Sequence, residues 1–113
     1  MQSTEKESII RKKALEHAHG SRERIFWSLH AVGKLRRENL RKTAVEHSLT
    51  KCIIIEDYAM EGRPLPGCLV LGHIGRKPIH AVIAIDMDNE RIFVITVYKP
   101  SSERWEDGWK KRK

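Results

Sequence analysis

No apolar run in this 113-residue chain approaches the roughly 20 residues that a membrane-spanning helix needs. No charged and then apolar leader opens it, so the expected address is the cytoplasm of a prokaryote-like cell. A Gly-x-Ser-x-Gly elbow and a glycine-rich phosphate loop are both missing, which disfavours serine-hydrolase and P-loop chemistry. Cysteine is scarce: Cys52 and Cys68 sit in apolar runs, have no partner at metal-ligand spacing and read as buried free thiols. Neither has the electropositive neighbours of an activated thiolate. The acidic pair Glu56 and Asp57 points to opposite faces if it lies on a strand, against a two-carboxylate hydrolase. No motif calls for a cofactor.

Basic residues are plentiful. Lys and Arg number 22 against 15 Asp and Glu, giving a formal charge of +7 and suiting a polyanionic partner. The excess is uneven: residues 11–42 and 99–113 are basic, and 43–98 are slightly acidic. Both ends are placed to touch phosphate while the middle packs.

The length fits one domain with one modest core. Residues 1–20 read as a charged helical extension ending at Gly20, 21–107 as a single α+β domain and 108–113 as a basic tail. Ser21 offers an N-cap, and Ile25, Phe26, Leu29, Val32 and Leu35 recur at helical spacing, predicting a helix over about 22–38 that ends at Asn39. A shorter helix with Leu40, Ala44, Val45 and Leu49 on its apolar face follows. From Cys52 onward, β-branched runs separated by short polar loops predict four strands in meander order, all antiparallel, with helices covering one face. The Trp-containing stretch 105–113 packs as a terminal turn or remains mobile.

On a helical wheel Ile25, Leu29 and Val32 form the buried stripe, with Trp27, His30, Lys34 and Arg37 together on its flank. Such a strip suits single-stranded RNA, with a base stacked on Trp27 and phosphates on Lys34 and Arg37. It equally suits a solvated face beside a half-buried Trp. A turn at 75–78 places His73 and His80 roughly opposite each other on adjacent strands. As metal ligands they lack a third donor at a known spacing; as acid/base groups they need only a phosphate nearby. A metal-independent ribonuclease takes a proton from the 2′-hydroxyl, stabilises charge on phosphorus and protonates the leaving oxygen, which asks for His or Tyr beside Arg or Lys. His30, His80 and Tyr98 are the right types for the first task and Lys34, Arg37, Arg76 and Lys99 for the second. Tyr98 equally serves as a strand-end aromatic covering the core.

Ser28-Leu29-His30-Ala31, Arg76-Lys77-Pro78-Ile79-His80-Ala81-Val82 and Ile95-Thr96-Val97-Tyr98-Lys99-Pro100 occur in order. The series, over about residues 25–107, resembles a bacterial family of domains of unknown function that is similar to the RelE, MqsR and BrnT toxins. The resemblance implies a RelE-like architecture of N-terminal helices on one face of a mainly antiparallel sheet. It also implies messenger RNA cleavage, His30, His80 and Tyr98 as site residues, and an antitoxin protein as partner. Lys34 stands where the family usually has Arg, and Glu38-Asn39 where it has Arg-Gly, so Arg37 has to supply the missing charge. The alternatives are a non-catalytic module binding nucleic acid or protein through the same face, and a subunit that dimerises by its sheet edge.

Overall fold

A computed structural model of the chain describes residues 1–20 and 22–113; Ser21, expected as a helix N-cap, lies outside them. The chain runs α1 (Ser3–His19), β1 (Ile25–Trp27), α2 (Leu29–Arg37), α3 (Lys42–Ser48), a 3₁₀ turn (Leu49–Lys51), β2 (Ile53–Tyr58), β3 (Gly67–Ile74), β4 (Lys77–Asp86) and β5 (Arg91–Tyr98), then a small hairpin of β6 (Trp105–Glu106) and β7 (Lys111–Arg112). The fold is α+β, with a five-stranded sheet in the order β1-β5-β4-β3-β2.

The expected four strands are thus five. Ile25, Phe26 and Trp27, assigned above to a helix, instead pair in parallel with Ile92, Phe93 and Val94. The exclusion of parallel pairing held only for strands consecutive in sequence; β1 and β5 have most of the domain between them. Helix α2 starts later, capped by Ser28, whose Oγ accepts the Ala31 N–H at 3.0 Å and donates to the Ile95 carbonyl at 2.8 Å. It ends as expected at Asn39, which holds φ 55°, while the Leu40 N–H returns to the Leu35 carbonyl at 2.8 Å. The predicted buried stripe is corrected too. Ile25 is buried, but in a strand; Leu29 is 92 % exposed and Val32 49 %, and Ala31 is the buried residue of α2. The helix packs edge-on along β5 and so buries a narrow line only.

The core lies between one sheet face and α1 with α3. Ile79, Ala81, Ile83 and Ile85 point into it at the two-residue period of β4, joined by Val70, Ile92, Val94 and Val97. From the helices come Ile10, Ala14, Val45 and Leu49. Within residues 1–20, the expected extension, α1 therefore supplies two side chains to the common core. Lys6, on the same helix, is buried and paired with Asp57, and also donates to the Gly67 carbonyl at 2.9 Å. Cys52 and Cys68 are buried and free, and burial pushes both thiols up to about 12. Among the described residues, no helix is long and apolar enough to cross a membrane.

The opposite sheet face carries His80, Leu69 and Leu71 and is partly covered by the β6–β7 hairpin, into which residues 108–112 are folded. A bulge at Val82/Ile83 against β5 leaves Ile95 as an extra, exposed residue and keeps Thr96 and Tyr98 on the His80 face.

Because Ile10 is fully buried, Ile10→Ala is expected to cost about 2–5 kcal/mol in urea denaturation. A change under about 0.5 kcal/mol would show that α1 is dispensable to the fold.

Candidate functional site

His80 sits in the central strand β4 and pairs with Tyr98 on β5 and Leu71 on β3. It is fully buried. Its Nε2 lies 2.8 Å from the Trp109 carbonyl, which can only accept, so the ring proton is on Nε2. Nδ1 is then the acceptor, and the Tyr98 hydroxyl, 3.2 Å away, donates to it. Trp105 closes the stack, its ring edge-on to the imidazole at 4.3 Å between centroids. Burial lowers the His80 pKa and raises that of Tyr98, so both are neutral and the shared proton stays on the phenol.

The hairpin is fixed over this pair by an ion pair. Arg112 reaches across to Glu56 on β2 with Nε–Oε2 at 2.6 Å and Nη2–Oε1 at 3.1 Å, and its guanidinium lies 4.8 Å from the centroid of the Trp105 ring. Tyr58 donates to the same carboxylate at 3.3 Å. The Arg112 hydrogen bond holds the Glu56 carboxyl below the usual carboxylate range. Asp57 turns to the other face and meets Lys6 and Ser3, as strand alternation requires.

Beside the pair is an open cleft of about 510 Å³, lined by Lys34, Tyr98, Lys99, Arg104, Trp105 and Arg112 together with Glu38, Ser101 and Glu103. Helix α2 supplies Lys34 and Glu38 because it runs along β5: Glu38 accepts the Lys99 N–H at 3.2 Å and faces Lys34 at 3.7 Å. His30, one turn before Lys34, contacts the Thr96 hydroxyl at 3.0 Å. Thr96 and Tyr98 share a strand face about 7 Å apart; His30 is open to solvent and does not itself line the cleft.

Four of the eight residues singled out from sequence thus gather here, Lys34, His80, Tyr98 and Lys99, with His30 two strand positions away on Thr96. The other three do not. Trp27 is on β1, and its indole N–H donates at 2.9 Å to Glu46, which also faces His17 at 3.4 Å; the ring packs against the core and offers no stacking platform at the cleft. Arg76 occupies the tip of the β3–β4 turn, and Arg37 is exposed on α2 without lining the cleft. The pairing of His73 with His80 is also corrected: His73 stands opposite Pro78, two positions along, and is exposed. Among the described residues, no three His, Cys, Asp or Glu side chains are grouped to hold a metal ion.

Sequence reasoning missed Glu56, Arg104, Trp105 and Arg112. The signal for the last three was the basic, Trp-containing terminus; for Glu56 there was none, since its partner is 56 residues away.

In comparison with known proteins, residues 27–99 match a family described as Domain of unknown function (DUF4258). No curated protein and no solved structure matches the chain.

With its pKa depressed from 6.5, His80 stays neutral in the folded protein where the unfolded chain takes up a proton. Its contribution to stability is therefore complete above about pH 6.5 and declines as pH falls from there to the folded pKa. In NMR titration the His80 imidazole is expected to keep its Nε2–H tautomer at pH 6.5, and the acid-side loss of stability should shrink in His80→Gln. A His80 that is half protonated at or above pH 6.5 would contradict the assignment.

Proposed function

The chain belongs to the DUF4258 family, and from its own site we propose that it is a toxin-like, metal-independent endoribonuclease acting on messenger RNA. One observation carries this reading: Tyr98, whose hydroxyl is hydrogen-bonded to a buried imidazole, lines a cleft in which Lys34, Lys99, Arg104 and Arg112 outnumber Glu38 and Glu103. Four cations against two carboxylates leave the cleft lining net positive, which suits a phosphodiester, and the phenol–imidazole pair suits movement of its proton. The likeness to the RelE, MqsR and BrnT toxins supports the same class and makes a cytoplasmic antitoxin protein the expected partner.

In the proposed reaction the 2′-hydroxyl proton passes to the Tyr98 oxygen as the Tyr98 proton passes to His80 Nδ1. The 2′-oxygen attacks phosphorus, the cations stabilise the added negative charge, and the bond to the 5′-oxygen breaks. His30 in its protonated form donates to that leaving oxygen. The products are a 2′,3′-cyclic phosphate and a free 5′-hydroxyl, and solvent returns a proton to His30 and removes one from the Tyr98–His80 pair. His80 acts through Tyr98 and is a positioning residue; Tyr98 and His30 are the groups in reach of substrate.

A second reading, a non-catalytic module binding nucleic acid or protein, is favoured by one feature: both His80 nitrogens are already occupied within the protein. Cleavage of a mixed-sequence RNA in EDTA separates the two. Wild type is expected to leave 2′,3′-cyclic ends, and Tyr98→Phe, which keeps the ring and loses the hydroxyl, to be slower by at least about a hundredfold. RNA binding without cleavage, on free RNA and on ribosomes alike, would leave the binding module.

A further inference from the structure

A second depression, of about 230 Å³, adjoins the cleft at Lys99, which lines both. Its floor is apolar, from Leu40, Ala44, Ile74 and Ile79, and Arg41 and Lys77 join Lys99 in its lining. No Asp or Glu lines it. Among the described residues, Arg41, Lys77, Lys99 and Arg104 make no ion pair, although the chain's other cations near acids do so readily, as Lys34, Arg91 and Arg112 show. The nearest lining carboxylates, Glu38 and Glu103, belong to the adjoining cleft, so within the depression Arg41, Lys77 and Lys99 repel one another, and a bound polyanion relieves that repulsion.

We propose that this depression is a nucleotide subsite flanking the cleft, so that a single strand of RNA runs from Arg41 and Lys77 past Lys99 to Lys34, Arg104 and Arg112. The inference deepens the RNA-directed reading and rests on it. The apolar floor receives the flat face of a base or a ribose, and Arg41, Lys77 and Lys99 meet the phosphates on either side. A duplex does not fit this role, because a paired base cannot turn its face to the floor. Arg41 and Lys77 are exposed, and the Arg41 side chain makes no capping hydrogen bond to α3, so both can change without disturbing the fold.

The test is salt-dependent binding of a 12-nucleotide single-stranded RNA to the full chain. Arg41→Gln/Lys77→Gln removes two phosphate contacts and is expected to weaken binding and to flatten the slope of log affinity against log salt by about 1.4, at about 0.7 per contact for single strands. Lys12→Gln/Lys51→Gln, the same charge change on exposed residues elsewhere, is the control and should leave the slope within about 0.3 of wild type. Equal slopes for the two variants, with wild type still binding and cleaving, would overturn the subsite and leave the cleft reading intact. A slope lost only in Arg41→Gln/Lys77→Gln, without cleavage by wild type, would uphold the subsite and remove the nuclease. Binding of poly-glutamate but not RNA, lost in the same variant, would overturn the proposal in favour of an acidic peptide.

Discussion

An imidazole with no exposure to water has two nitrogens to satisfy, and His80 meets that constraint with partners from two distant parts of the chain. Nδ1 takes the hydroxyl of Tyr98, which the β4–β5 register places opposite it. Nε2 takes a backbone carbonyl from the turn of the terminal hairpin, where Asp107, Gly108 and Trp109 all hold positive φ. A bulky residue in that conformation is uncommon, and it persists here because Trp105 and Arg112 hold the hairpin ends on either side. The imidazole tautomer, the direction of the Tyr98 proton and the seat of the hairpin are therefore aspects of one arrangement.

The two sheet faces do different work. One is apolar along β4 and buried by α1 and α3, with Lys6, Glu46 and His17 anchored by specific partners at its margins. The other is only partly covered, so a titratable pair can sit at the boundary between packed interior and open cleft. That position is what separates the pKa values: burial disfavours charge on both His80 and Tyr98, and it pushes the base down and the acid up.

Charge placement follows from chain path. Helix α2 delivers Lys34, the end of β5 delivers Lys99, and the chain beyond β5 delivers Arg104 and Arg112. One cation of the first basic stretch and three of the second thereby line the same cleft, and Glu38, the charge reversal on α2, is absorbed by Lys34 and the Lys99 backbone. The reversal does not remove the positive cleft, because Arg104 and Arg112 supply charge in place of Arg37.

Much of this was legible in the sequence. The β-branched and apolar runs, 79–85 and 92–98 among them, marked β2 to β5, and Asn39 marked the end of α2, all because local pattern and final burial agree there. Residue type, helical spacing and the motif resemblance nominated His30, Lys34, His80, Tyr98 and Lys99. Residues 25–27 were misread because an apolar triplet beside a helix continues its period; only the open edge of β5 makes them a strand. Trp27 followed from the same misreading. The pairing of Arg112 with Glu56, the Trp109 carbonyl on His80 and the burial of the imidazole were decided by tertiary structure alone. Such contacts join residues far apart in the chain, and sequence spacing carries no information about which distant groups a folded sheet brings together.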